Sequence, residues 1–291
     1  MDEKNSNIVN IDGVLIDQAR GILLTCLREK TGRYVIPDGI TEIGDCAFID
    51  QKNLTDIVIP EGVMEIGFRA FGGCEGLTSV EIPGSVTKIE DFTFSECTGL
   101  VSAVLREGVR EIGMDAFCGC TGLTRVEIPE SLTKIGGCAF ERCDNLVSVR
   151  IPSGVTELQS TAFGGLSGLK EIQVDENNAC FASLDGVLFD KKLQKLSCFP
   201  GGKTDRYVIP GSVTRIGSYA FGGCHRLKSV TIPDSVTTVE MRAFLNCSGL
   251  ETLIVPDSVM DIWNQAFFGI PHIIYNGPAQ SEDNWGALSR N

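Results

Sequence analysis

The chain has 291 residues, 43% of them hydrophobic, and 38 acidic against 25 basic residues give it a formal net charge of −13. That balance argues against nucleic-acid binding, which requires a basic stripe, and against simple adsorption to anionic lipid. No stretch of the chain approaches the ~20 apolar residues that span a bilayer, so we expect no membrane insertion.

The first residues, MDEKNSNIVNI, lack the basic region followed by an apolar run that marks a secretory signal. We expect residues 1–11 to be disordered. The location of the protein depends on whether a leader was removed. If one was removed, we expect the protein at the cell surface or secreted; otherwise we expect it in the cytoplasm.

The next segment, DGVLIDQARGILLTCLREKTGRYVIP, runs from Asp12 to Pro37. It consists of an apolar strand, a polar turn, a second apolar strand and a link that contains glycine, which predicts a β-hairpin. We expect this hairpin to cap the N-terminal end of a repeat array that extends over residues 12–174.

A 23-residue period then dominates the sequence. An Ile-Pro pair and an Ala-Phe pair, or close variants, recur at that spacing, and a fixed period between about 20 and 50 residues is typical of a solenoid. The periodic phenylalanines are Phe48, Phe71, Phe94, Phe117, Phe140, Phe163, Phe221, Phe244 and Phe267.

One repeat, Leu77 to Leu100, shows the expected path of a coil. Alternation with a period of two places Val80 and Ile82 inward and Glu81 outward on a main strand. Pro83 ends that strand because it has no N–H to donate.

The second half of the same repeat returns the chain through Val86 and Ile89, which we expect to face inward on a return strand. Phe94 and Cys97 follow, three residues apart. That spacing fits a short helical turn with both side chains pointing inward.

Stacked coils would align identical side chains in columns that are buried only against their neighbours. One such slot holds a cysteine in most coils, but Leu166 and Ile270 also occupy it, so it is a buried apolar slot in which a free thiol acts as a small hydrophobe. We therefore expect most of the 12 cysteines to be reduced. The cysteines of this slot are Cys74, Cys97, Cys120, Cys143, Cys224 and Cys247.

The period fails once, after Val174, where residues 185–210 repeat the length and framing of residues 12–37. We predict a hairpin interruption over 175–208, a second array over 209–275 and a C-terminal cap or tail over 276–291. Trp285 is expected to pack over the last coil. We expect all of these segments to form one continuous solenoid domain.

The unit L-x-x-V-x-I-P-x-x-V-x-x-I-G-x-x-A-F-x-x-C and the D-G-V-L-F/I-D hairpin resemble the BspA-like leucine-rich repeat family over about residues 12–275. The resemblance implies a leucine-rich repeat solenoid of α/β or mostly β class. It implies a curved right-handed superhelix with a parallel concave sheet and short return strands or helical turns. It also implies a bacterial or protist protein, often at the cell surface, that binds host matrix proteins or other cells. The family has no shared catalytic residues.

The candidate binding residues are outward positions on the main strands. Arg125 and Arg150 fall in adjacent coils, where they could grip a carboxylate, although Glu127 and Glu171 could instead pair with them. The full candidate set on the concave face is Glu81, Val104, Arg125, Glu127, Arg150 and Glu171.

The chain has few residues that could support enzyme catalysis. Its histidines are His225 and His272, and because Cys224 belongs to the buried column, His225 should turn outward and form no Cys/His nucleophile pair. The Cys118-Gly-Cys120 spacing is not that of a zinc ribbon and leaves only incidental zinc uptake by Cys118 as an alternative. We predict no catalytic residues, no metal and no cofactor.

The leading prediction is a non-enzymatic, monomeric binding protein that recognises a protein or glycan partner and is related to bacterial cell-surface adhesion. The alternative is an intracellular protein-interaction scaffold. Free thiols favour the alternative because cytosolic cysteines stay reduced.

Overall fold

The computed structural model describes residues 7–281 and 283–290. The chain divides into two compact units, unit 1 (Met1–Asn145) and unit 2 (Leu146–Asn291). Each unit is a β-solenoid whose strands run parallel from coil to coil. The described residues contain almost no helix, and a 3-10 turn lies at Asn284–Gly286.

The strands of unit 1 fall into an opening antiparallel group and two alternating series, one of longer main strands and one of two-residue return strands. They are β1 (Ile8–Ile11), β2 (Val14–Asp17), β3 (Ile22–Cys26), β4 (Gly32–Val35), β5 (Glu42–Ile43), β6 (Leu54–Val58), β7 (Glu65–Ile66), β8 (Ser79–Ile82), β9 (Lys88–Ile89), β10 (Ser102–Leu105), β11 (Glu111–Ile112), β12 (Arg125–Glu127) and β13 (Lys134–Ile135).

Unit 2 has the same two series with a second antiparallel group between them. Its strands are β14 (Ser148–Ile151), β15 (Glu157–Leu158), β16 (Glu171–Val174), β17 (Phe181–Leu184), β18 (Val187–Asp190), β19 (Lys195–Cys198), β20 (Asp205–Val208), β21 (Arg215–Ile216), β22 (Leu227–Thr231), β23 (Thr238–Val239), β24 (Thr252–Ile254), β25 (Asp261–Ile262) and β26 (His272–Ile274).

Two parallel sheets build unit 1. The main sheet has the order β12-β10-β8-β6-β4, and the return series β5-β7-β9-β11-β13 continues from β3. The register is one repeat, so Val104 lies opposite both Glu81 and Glu127. Residues 23 apart in sequence therefore stack, as the periodicity predicts.

The opening group is larger than the predicted hairpin. Residues 1–11 were expected to be disordered, but Ile8–Ile11 forms β1, which pairs antiparallel with β2. This part of the prediction is wrong because the backbone of β1 pairs with β2 in continuous register, from Ile8 opposite Asp17 to Ile11 opposite Val14. Residues 1–6 lie outside the described part of the chain.

The interruption in unit 2 has the same three-stranded form. β17, β18 and β19 are antiparallel, and β19 then continues in parallel as β19-β21-β23-β25. Asn178, which is fully buried, holds the start of this segment. Its amide donates to the carbonyls of Pro152 and Val155 and accepts from the backbone N–H groups of Cys180 and Phe181.

The predicted columns form the core. In unit 1 the rings of Phe48, Phe71, Phe94, Phe117 and Phe140 stack with centroids 5.2, 5.3, 5.4 and 5.5 Å apart. All five are fully buried, as are the cysteines of the shared slot. The twelve cysteines are free thiols.

The short helical turn expected at Phe94 and Cys97 is wrong. Phe92 and Glu96, which flank Phe94, have φ angles of 60° and 58°, in the left-handed region that a right-handed helix excludes. Their N–H groups point along the stack and bond the carbonyls of Met114 and Cys118 in the next coil. The turn is thus a third hydrogen-bonded ladder between coils, which offsets the cost of roughly 1–2 kcal/mol for each left-handed residue.

The C-terminal tail of unit 2 closes the last coil, as predicted for Trp285. The indole of Trp285 is buried and meets Phe267 edge to face at 6.3 Å. The carbonyl of Trp285 accepts from Phe267 N at 3.0 Å, where a further coil would otherwise accept. This supplies a partner for backbone groups that would face solvent.

Candidate functional site

The main sheet of unit 1 carries a groove of about 390 Å³, and Glu81 and Val104 from the predicted set line it. The groove lies where the outward side chains of successive main strands meet. Its lining residues are Arg33, Asp56, Ile57, Val58, Ile59, Glu61, Ser79, Val80, Glu81, Pro83, Ser102 and Val104.

Strand register decides which of the predicted residues come together. Glu81, Val104 and Glu127 form one row across β8, β10 and β12, because each is the cross-strand partner of the next. Arg125 belongs to the neighbouring row, opposite Ser102. Four of the six predicted residues are therefore brought together on three adjacent strands of unit 1.

Ion pairs cover much of this face. Arg106 Nε lies 2.7 Å from Glu81 Oε1, and Arg125 Nη2 lies 2.8 Å from Glu127 Oε1. These side chains are exposed, and exposed pairs contribute only about 0–1 kcal/mol. A ligand can therefore replace either partner at little cost, which leaves both charges available for recognition.

Arg150 and Glu171 lie in unit 2, on β14 and β16. The guanidinium of Arg150 lies 2.6 Å from Asp175 Oδ2. Hydrogen bonds from the backbone and side chain of Asn177, and then from Arg150, lower the pKa of Asp175. Arg125 pairs with Glu127, which was one of the two alternatives open from the sequence. Asp175 was not predicted as a partner of Arg150.

A second cluster lies on the turn side of unit 1. Single ligand atoms of Asp115, Cys118 and Glu141 all lie within 4.8 Å of one another. Burial, reinforced by the charges of Asp115 and Glu141, raises the pKa of Cys118 to about 12. The thiol must therefore lose a tightly held proton before it could ligate a cation, which weakens the site for metal binding. The sequence indicated Cys118 alone as a candidate for incidental zinc uptake, because its acidic neighbours Asp115 and Glu141 come from slots on two successive coils.

Cys224 and His225 are adjacent in sequence, but only Cys224 lies in the core. Cys224 is fully buried, and its thiol donates to the carbonyl of Phe199 at 3.7 Å. His225 is exposed, with Nδ1 3.0 Å from the hydroxyl of Ser248. The two side chains point in different directions and form no nucleophile–base pair, as the repeat predicts.

Across residues 7–281 and 283–290, no helix is long and apolar enough to cross a bilayer.

The model of the BspA type leucine rich repeat region matches residues 29–120, 99–196 and 192–276, in six copies. The chain belongs to this family. No curated protein matches the chain in sequence.

Solved structures share the fold of this family member. A leucine-rich repeat protein from Eubacterium ventriosum superposes with a TM-score of 0.66 at 22% identity, over 92% of this chain and 71% of that one. The pneumococcal vaccine antigen PcpA superposes with a TM-score of 0.69 at 21% sequence identity, over 92% of this chain and 81% of that one. A leucine rich cell surface protein from Faecalibacterium prausnitzii superposes with a TM-score of 0.63 at 24% sequence identity, over 97% of each chain. At these identities the likeness establishes the fold.

Proposed function

We propose that the chain is a non-enzymatic binding protein that recognises a protein or glycan partner at a bacterial cell surface through its main sheets. The observation that carries this proposal is the groove on unit 1, where Glu81 and Val104 meet between exposed charges. Repeat solenoids present such extended sheet surfaces to their partners. The similarity to a protein described as a cell surface protein supports the location.

The test is a Val104→Arg variant. Its guanidinium would lie between Glu81 and Glu127, its cross-strand neighbours, so the substitution fills the groove while two carboxylates are positioned to pair with it. We expect this variant to remain folded and to lose binding to purified host matrix proteins or immobilised glycans that the unmodified protein retains.

The matched control is Thr156→Arg, an exposed position in the slot that Arg110 occupies in another coil. It adds the same charge away from the groove and should leave binding unchanged. A folded protein that retains no matrix protein, glycan or intact cell would overturn the proposal. Equal loss in both variants would show a charge effect and would also count against the groove.

A specific observation favours a second function, an intracellular protein-interaction scaffold. The chain holds twelve free thiols, which is usual for a reducing compartment and unusual for a secreted protein. Protease treatment of intact cells separates the two proposals. Loss of the protein supports the surface location, and its survival supports the scaffold.

A further inference from the structure

Unit 2 contains a basic pocket in a chain that is otherwise acidic. A cavity of about 540 Å³ lies where the interruption rejoins the regular coils, and the cations Lys170, Lys203, Arg206 and Arg226 line it. One carboxylate, Asp185, also lines it. The pocket therefore has four cations and one anion, whereas acidic residues outnumber basic residues in the whole chain by 38 to 25.

The fold assembles these cations from separate parts of the sequence. Lys170 directly precedes β16, and Arg226 directly precedes β22, while Arg206 lies in β20 opposite Ser229. Lys203 comes from the link between β19 and β20, which crosses against the preceding coil.

Two glycines make that crossing possible. The N–H of Gly202 donates to the carbonyl of Leu169 at 2.7 Å. A Cβ at Gly201 would lie 2.7 Å from the carbonyl oxygen of Leu166, and one at Gly202 would lie 2.7 Å from that of Leu169. Such contacts are too short for any side chain, so the pocket depends on this close backbone approach.

The four cations are available to a ligand. Within residues 7–281 and 283–290 none of them forms an ion pair with a carboxylate, although Arg150, Arg215 and other cations do. Arginine forks and lysine ammonium groups are the donors that proteins use for sulfate, phosphate and carboxylate oxygens.

One wall of the pocket is aromatic. Tyr207 is half-buried, and its ring lies 4.8 Å from that of Phe199, which stacks in turn on Phe221 at 5.1 Å. Burial and then the charge of Asp185 raise the pKa of Tyr207 to about 12. The phenol therefore keeps its proton at neutral pH and can donate a hydrogen bond.

The size and surroundings of the pocket favour a short ligand. Small-molecule sites enclose about 300–1,000 Å³ and combine apolar walls with a few convergent polar groups. The net charge of −13 repels a long polyanion that extends beyond the pocket. A sugar ring can lie against the aromatic wall while its anionic substituents reach the cations.

We propose that this pocket binds an anionic saccharide of one or two sugar units that carries sulfate or carboxylate groups. Lys203, Arg206 and Arg226 bind the anionic groups, and Tyr207 contacts the ring. The pocket is separate in sequence and in unit from the groove of unit 1, so the two proposals stand or fall independently.

The experiment is calorimetric titration of the full chain with a sulfated disaccharide, the same disaccharide without sulfate, inorganic sulfate and a hexaglutamate peptide. We expect the sulfated disaccharide to bind, with an affinity that weakens as salt is added, and the unsulfated one to bind at least about tenfold more weakly. Arg226→Gln should weaken binding of the sulfated disaccharide about tenfold.

Two further variants complete the test. Lys228→Gln removes an exposed cation just outside the pocket and should leave binding unchanged. Asp185→Asn removes the opposing carboxylate and should strengthen binding, an effect that misfolding would not produce.

The remaining outcomes overturn the proposal. Equal loss of disaccharide binding in Arg226→Gln and Lys228→Gln would show that the effect comes from net charge and not from the pocket. Equal affinity for inorganic sulfate would make this a simple anion site, and tighter binding of hexaglutamate would assign it to acidic peptides. Absence of binding by all four probes would also reject it.

Discussion

The thiol of Cys97 donates a hydrogen bond to the carbonyl oxygen of Phe71, 3.1 Å away in the preceding coil. Cys74, Cys120 and Cys143 make the same bond to Phe48, Phe94 and Phe117, each at 3.1 Å. The cysteine slot is therefore more than apolar filling. Each thiol also satisfies a buried carbonyl, which would otherwise cost free energy.

Thiol reactivity follows from this arrangement. Seven cysteines are buried and five are half-buried. Burial raises the pKa of Cys198 and of Cys118 to about 12, so at pH 8 very little of either is the reactive thiolate. Titration of the native protein with a thiol reagent should give at most five reactive groups, with Cys118 the slow one, and twelve in denaturant. Rapid modification of all twelve thiols in the native state would contradict the burial of the cysteine column.

The control for that titration is Cys118→Ser. Because Cys118 is already slow, its loss should not change the number of fast-reacting thiols. Cys180→Ser should remove one, because Cys180 is a half-buried thiol near the start of the interruption.

The stacked phenylalanines predict a large effect for one substitution. Phe117 is fully buried between Phe94 and Phe140, at 5.4 and 5.5 Å. Phe117→Ala should lower the free energy of unfolding by about 3–5 kcal/mol, since it removes a core ring and leaves a cavity. The check is a urea unfolding curve.

The matched control is Phe68→Ala on the same unit. Phe68 is exposed, although it contacts Phe92, so the loss should stay under about 1 kcal/mol. An unchanged urea midpoint for Phe117→Ala would show that the column does not carry the core.

Glu240 makes the stability of unit 2 depend on pH. Burial alone would raise its pKa, but hydrogen bonds and charge from Lys195, with hydrogen bonds from Ser218, lower it below the ordinary value. Lys195 Nζ lies 3.0 Å from Glu240 Oε1, and Arg215 Nη1 lies 3.5 Å away. Because the folded pKa is below the unfolded one, the stabilisation is present above the unfolded pKa. It is lost as the pH falls through the folded pKa.

Glu240→Gln tests this dependence. At pH 7 it should destabilise the protein by about 1–3 kcal/mol, because Lys195 and Ser218 lose their charged acceptor. The difference from the unmodified protein should shrink as the pH falls below the unfolded value near 4.5. Denaturant unfolding at several pH values measures it, and a difference that persists unchanged in acid would contradict the ion cluster.

The two tryptophans should report on the C-terminal cap separately. Trp285 is buried, whereas Trp263 is 42% exposed and donates to Asp261. Trp263→Phe should leave a blue-shifted emission from Trp285, and Trp285→Phe should leave a red-shifted one from Trp263. Identical spectra from the two variants would place Trp285 outside the core.

The 23-residue pattern was sufficient to predict the coils and the inward columns, because both depend on side-chain burial that repeats along the chain. The pattern did not predict the backbone conformation of the turn that carries each phenylalanine. The left-handed residue two places before each phenylalanine is Arg69, Phe92, Asp115 or Tyr219 in different coils. No common residue type marks that slot, because its conformation is fixed by hydrogen bonds to the next coil.

The candidate sites were less predictable for a similar reason. Outward positions such as Glu81 and Val104 follow from alternation along a strand, but their ion-pair partners depend on where long side chains reach. The basic pocket joins Lys170 to Arg226 through a crossing of the interruption that depends on the packing of Gly201 and Gly202. Nothing in the spacing of those residues indicates it.

The one-repeat register of unit 1 also bears on how such a chain can change length. Every strand pair from β6 to β12 matches residues 23 apart. Duplication or loss of one whole 23-residue segment would therefore leave all ladders and columns in phase, while any other length would throw them out of phase. Tandem duplication thus offers a way to lengthen the main sheet one strand at a time without redesigning the core.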